Sequence, residues 1–139
     1  EAFKEPRRFT LPMPGIVALC AAGQPPAMFA LKSKRRPTGL AEELFRLPAF
    51  NVFRNGTTCQ GTARYSEDVT RHPEEFFEAH FSLAGDVNPR STAFPEDLLR
   101  RWESLNGVRE YPLGDLVPME MQGQRYHLGD LLASERRNG

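Results

Sequence analysis

The chain has no surplus of charge of either sign. Lys plus Arg and Asp plus Glu are each 18, for a formal net charge of zero. Proteins that bind by neutralising phosphates carry a basic excess, so the balance argues against nucleic acid and for protein or small-molecule partners. Cysteine is scarce, with only Cys20 and Cys59. Two thiols without a dense spacing pattern read as reduced cytosolic cysteines rather than a disulfide framework. The three histidines, His72, His80 and His127, form no short-range pair with a cysteine, so no metal spacing is present. No apolar run approaches the roughly 18 residues of a membrane span, and no signal-peptide pattern occurs. A cytoplasmic protein with no cofactor, no metal, no membrane and no nucleic acid is the expectation. The chain begins at Glu1 rather than Met, as expected of a trimmed chain or one piece of a longer protein.

What is plentiful is punctuation: twelve prolines and eleven glycines in 139 residues. That length suits a single domain able to bury about two thirds of its unfolded surface without a staple. Gly15 to Ala22 and Ala27 to Lys32 read as two strands of an antiparallel hairpin around Gly23-Gln24-Pro25-Pro26. Leu40 to Leu47 suits either a helix or a third strand ending at Pro48. Pro73 to Phe81 predicts a helix with Phe77 and Phe81 on one face, and Pro95 to Leu105 predicts another carrying Leu98, Leu99, Trp102 and Leu105. Trp102 is the expected core anchor, and His80 a packing histidine. Strands first and helices afterwards indicate an α+β fold. Tyr111-Pro-Leu-Gly-Asp-Leu116 and Tyr126-His-Leu-Gly-Asp-Leu131 form one short repeat, too few units for a solenoid. Between them, Val117 to Gln122 suits an edge strand or an extended arm, and Ser134 to Gly139 is expected to fray.

The segment most loaded with chemistry runs from Phe50 to Gly61. Asn51 stands eight residues before Cys59, with the turn-forming Asn55-Gly56 pair between them. Such spacing brings an oxyanion-stabilising amide near a thiol. Cys59 sits among Thr57, Thr58, Gln60 and Gly61, which suits an accessible nucleophile, and Arg54 and Arg64 are near along the chain to favour a thiolate. A structural thiol is the competing reading of Cys59.

Those residues resemble the active-site segment of ubiquitin-conjugating (E2) enzymes, in which a His-Pro-Asn tripeptide precedes the acceptor cysteine by the same interval. Asn51, Gly56 and Cys59 match, while Ala49 and Phe50 replace the His and Pro. More specifically, the chain is similar to prokaryotic E2 family D, which includes the B proteins of PRTRC systems. The similarity rests on Leu11-Pro-Met-Pro14, Arg36-Pro-Thr38, Leu47-Pro-Ala-Phe-Asn-Val52 and Glu75-Phe-Phe-Glu-Ala-His-Phe81, and covers about residues 10 to 90. It implies an E2/UBC-like α+β fold: an antiparallel β-meander, an active-site flap, then C-terminal helices. It implies one domain over 1–139, with a core of about 10–106 and an extension, 107–139, that docks either on this domain or on a partner. It implies a bacterial carrier that accepts a ubiquitin-like C-terminus from an E1-like adenylating enzyme as a thioester on Cys59. The carrier would then pass it to an amine of a protein target. Asn51 would stabilise the oxyanion, and Asp86 and Asn88, on a loop after the cysteine, would handle the incoming amine. The alternative is an inert E2-fold module that binds a ubiquitin-like protein or an E1 without carrying it.

Overall fold

The computed structural model describes residues 7–60, 63–79, 81 and 89–138. Three antiparallel strands form the main sheet in the order β1 (Gly15–Leu19), β2 (Ala27–Leu31), β3 (Phe45–Arg46). In the β1–β2 hairpin Val17 faces Phe29, and β2 meets β3 with Ala30 opposite Phe45. The ambiguous Leu40 to Leu47 stretch thus contains a strand and no α-helix. Pairing with β2 supplies ladder bonds that local helix propensity cannot match in a piece this short.

Helix α1 (His72–Glu78) follows a 3-10 turn, Val69–Arg71, whose start is capped by Asp68 accepting from the Thr70 N–H. Pro73 lies in its first turn with Glu74 and Glu75 at the positive end. It ends sooner than the sequence pattern suggests. Ala79 is extended, so Phe77 and Phe81 do not share a helical face, and Phe81 packs edge-on against Phe76 with ring centroids 5.4 Å apart. Helix α2 (Leu98–Leu105) begins at Asp97, whose carboxylate accepts from the Arg100 N–H. Two further strands, β4 (Glu120–Met121) and β5 (Gln124–Arg125), form a small hairpin, and α3 (Leu128–Asn138) closes the described chain. Strands therefore return after the second helix: β4 lies within Val117 to Gln122, the stretch suited to an edge strand or an extended arm, and β5 pairs with it. The helix also runs through most of the segment expected to fray.

The alternation of β2 explains why the last part of the chain packs where it does. Met28 and Ala30 enter one core with Phe76, Leu98, Trp102 and Leu105. Phe29 and Leu31, on the opposite face, enter a second core with Leu44, Met119 and Leu131. Successive side chains of a strand point to opposite faces, so a strand apolar at every position needs cover on both. The tail provides the second layer. Leu44 N–H donates to Tyr126 O, Met119 N–H to Leu44 O, and Arg46 N–H to Val117 O, at 2.8–3.0 Å. Leu128 N–H reaches Glu42 O at 2.9 Å.

In the first core Trp102 meets Phe9, Phe50 and Phe81 edge-on, at centroid distances of 5.6, 4.8 and 5.4 Å. Its indole N–H donates to Pro48 O at 2.9 Å, so the ring is both packed and satisfied. Beside it, the buried Asp115 carboxylate accepts from Ser91 Oγ, Ala93 N, Arg101 Nε and Tyr111 Oη at 2.7–3.1 Å. The two tail repeats use their aspartates differently. Asp115 is this buried acceptor, whereas the exposed Asp130 accepts from His127 N–H and starts α3.

Burial and the Asp115 charge push the Tyr111 phenol well above its ordinary value near 10. A phenol that resists ionisation only when folded contributes stability that is whole below pH 10 and is lost as pH rises beyond it. Urea midpoints measured at about pH 8 and about pH 11 should therefore fall steeply in the parent, and less steeply in Tyr111→Phe. An unchanged slope in that variant would assign the alkaline loss elsewhere.

Candidate active site

Residues 51–59 fold as a small hairpin at the start of β2. Val52 and Thr58 form an antiparallel bridge, Phe53 N–H donates to Thr57 O at 2.7 Å, and Gly56 N–H to Phe53 O at 2.9 Å. Asn55 Oδ1 accepts from both Thr57 N–H and Thr57 Oγ, at 3.1 and 2.6 Å, which locks the tip. The hairpin is pinned to β2 by a bridge between Ala27 and Thr57 and by Met28 N–H donating to Gly56 O at 2.8 Å. Thr58 Oγ donates to Pro26 O at 2.6 Å from a buried position. Gly56 has φ +90°, and a Cβ there would lie 2.3 Å from the Phe29 ring. Both the turn and the close approach to β2 require glycine at this point.

Asn51 and Cys59 sit opposite each other at the base of this hairpin. Cys59 N–H donates to Asn51 O at 2.8 Å. Asn51 is half-buried and left-handed, with φ +66°, a conformation asparagine tolerates better than most residues. The Cys59 side chain is exposed and its thiol is free. Arg54 lies at the opposite end of the hairpin from Cys59, and Arg64 is exposed. Cys20, half-buried just after β1, has a thiol pushed up by burial. Asp86, Asn88 and His80 lie outside the described residues.

Several neighbours of the site leave no mark on the sequence pattern. Tyr65 is buried behind the hairpin, with its hydroxyl beside Thr58 but without a hydrogen bond of good geometry. Burial raises its phenol first, and the negative charges of Glu75 and a Cys59 thiolate add to the rise. His72 stands edge-on to Tyr65 at 5.3 Å, and its Nε2–H donates to Ser66 O at 2.7 Å. A carbonyl only accepts, so that contact fixes the tautomer. Arg90, also buried, donates from Nη1 to Ala49 O and Val52 O at 2.9 and 3.3 Å. Neither Tyr65 nor Arg90 belongs to a recognisable spacing; each is brought in by tertiary contacts.

A cleft of about 830 Å³ opens between the hairpin tip and the β4–β5 turn. It is lined by Arg46, Phe53, Arg54, Met121 and Gln122 among others, and Cys59 is not part of its wall. Among the described residues, no group of three His, Cys, Asp or Glu side chains is placed to hold a metal. No described helix is long and apolar enough to cross a membrane.

The family model for prokaryotic E2 family D matches residues 2–119. The match extends beyond the 10 to 90 span legible as a resemblance, and takes in α2, the Asp115 turn and the start of the tail. No curated protein and no solved structure matches the chain.

Two measurements follow from this geometry. Iodoacetamide should modify Cys59 well before Cys20, by roughly ten-fold or more in rate near neutral pH, read by peptide mass spectrometry. Comparable rates would mean that the hairpin base is closed in solution. Gly56→Ala should lower the unfolding free energy by about 2 kcal/mol or more, from the strained φ and the overlap with Phe29. Gly107→Ala is the control, because φ there is +80° but no atom lies within 4 Å of the added Cβ. Its loss should stay near 1 kcal/mol, the backbone cost alone.

Proposed function

The chain belongs to prokaryotic E2 family D, and from that premise we propose that it is a bacterial, cytoplasmic carrier of a ubiquitin-like protein. Membership of an E2-like family carries with it a role in a ubiquitin-like pathway, and partners of the E1-like and ubiquitin-like kinds. The finer reading, a working thioester carrier, rests on one observation: an exposed, free Cys59 hydrogen-bonded through its backbone to a left-handed Asn51. An E2-fold module that only binds has no use for an accessible thiol. In this reading residues 1–139 act as one E2-like domain.

The chemistry then runs in two acyl transfers. The Cys59 thiolate attacks the carbonyl of the thioester on the E1-like enzyme. A C–S bond to Cys59 forms, the bond to the E1 sulfur breaks, and the E1 thiolate departs. In the second transfer a target amine attacks the Cys59 thioester carbonyl, the oxyanion of the tetrahedral adduct accepts from the Asn51 amide, and Cys59 leaves as thiolate. The amine loses a proton to base or solvent, and an amide is the product. Asp86 and Asn88 are the proposed residues for receiving and orienting that amine.

The test is to mix the chain with an E1-like adenylating enzyme and a ubiquitin-like protein from the same source, plus ATP. A thiol-sensitive adduct should form, disappear in Cys59→Ala and persist in Cys20→Ala. Asn51→Ala should still charge but discharge on the order of 100-fold more slowly, the usual cost of one lost oxyanion donor. An uncharged wild-type chain beside a demonstrably active E1 would leave the binding-module reading standing instead. Equal loss of charging and discharge in Asn51→Ala would make that residue structural.

A further inference from the structure

We infer that Arg90 is the positioning residue of the reacting hairpin, acting on acyl transfer through Asn51; this rests on the carrier reading above. The observation is a clasp. A single guanidinium nitrogen, Nη1, donates to the carbonyls of Ala49 and Val52 at 2.9 and 3.3 Å. The same guanidinium carbon lies 5.8 Å from the centroid of the Phe50 ring. These contacts bracket Asn51 on both sides along the chain. Drawing the carbonyls of residues 49 and 52 onto one nitrogen closes the segment between them into a turn, and the turn has Asn51 at φ +66°.

The left-handed region is unfavourable for a non-glycine residue, though less so for asparagine. A charge-assisted bond to each flanking carbonyl is ample to hold it there. What makes the conformation consequential is the next bond along. Asn51 O receives the Cys59 N–H at 2.8 Å, so rotating the Asn51 peptide moves both the amide side chain and the cysteine backbone. Arginine suits the task because its planar, permanently charged head donates to carbonyls while lying over a ring. A lysine ammonium does not combine these geometries.

The clasp is set from deep in the scaffold. Arg90 is only 6% exposed. Its neighbours are tied down on both sides: Pro89 O accepts from Arg46 Nη1 at 3.0 Å, and Ser91 Oγ donates to Asp115 at 2.7 Å. The Arg90 contacts that define the clasp are to backbone carbonyls and a ring, not to the thiol. The effect of Arg90 falls on the step for which the Asn51 amide is proposed, discharge to the amine.

The decisive experiment uses the full chain with its E1-like enzyme, ubiquitin-like protein and ATP. Arg90→Lys, Arg90→Gln, Asn51→Ala and the double variants would be compared in charging, and in single-turnover discharge to free lysine. Charging should stay within about two-fold, while discharge slows on the order of ten- to hundred-fold, as for a small misplacement of a reacting group. In the Asn51→Ala background, Arg90→Lys should add nothing further, because both act through one group. Hydrogen exchange should show the Cys59 amide losing protection in Arg90→Lys while the amides of α2 keep theirs. Full additivity of the two substitutions would overturn the inference. So would a parallel fall in charging and discharge with a displaced pH profile, which would place Arg90 on the thiol instead. Global unfolding of both Arg90 variants would assign the residue to the fold and also overturn it. A wild-type chain that never charges removes the carrier reading and this inference together, whereas additivity in a chain that charges removes Arg90 alone.

Discussion

The Asp115 carboxylate gathers parts of the chain that lie far apart in sequence. Its Oδ2 accepts from Ser91, Arg101 and Tyr111, its Oδ1 from the Ala93 N–H, and its own backbone carbonyl from Thr92. One charged donor and three neutral ones satisfy a charge that is 6% exposed. Removing a single partner from a buried pair of this kind typically costs 3–5 kcal/mol, because the charge stays behind without compensation. The carboxylate thereby fixes the approach to the site. Ser91 and Ala93 are held by Asp115, the adjacent Arg90 is held in place, and Arg90 clasps the turn that presents Asn51 opposite Cys59.

A second constraint comes from β2. Its residues are apolar at every position, and both faces are buried under separate cores. One face takes α1, α2 and the aromatic cluster around Trp102. The other takes Met119, Tyr126, Leu128 and Leu131 from the tail. The hairpin carrying Cys59 hangs from the start of this doubly covered strand through Ala27, Met28 and Thr58. The loop that carries the thiol is thus mounted on the most deeply buried strand of the sheet.

Much of the local structure was legible beforehand, and for identifiable reasons. Asn55-Gly56 marked the turn because Gly56 needs positive φ, and the hairpin forms there. The Leu98, Leu99, Trp102, Leu105 stripe marked α2, and Pro73 with its glutamates marked the start of α1. The C-terminal end of α1 is not legible in sequence: Phe77 and Phe81 fit a helical spacing, while Ala79 leaves the helix and Phe81 joins Phe76 and Trp102. The pairing of the short strands β4 and β5 is not legible in sequence, because Glu120, Met121, Gln124 and Arg125 are all exposed and carry no buried alternation. The spacing of Asn51 and Cys59 marks them as candidates, and the structure joins their backbones at the hairpin base. Tyr65, His72 and Arg90 were not, because nothing in their immediate sequence records what packs against them.

The sequence by itself determined the pair Asn51 and Cys59, the glycine turn between them and the family to which the chain belongs. These are short-range features, encoded in residue type and separation along nine positions. Tertiary structure decided the rest: which thiol is exposed, which face of β2 the tail covers, and that Asn51 is held left-handed by a buried arginine 39 positions away. Such contacts depend on the packing of elements distant in sequence. A hydrogen bond across that separation leaves no periodicity for a local pattern to reveal.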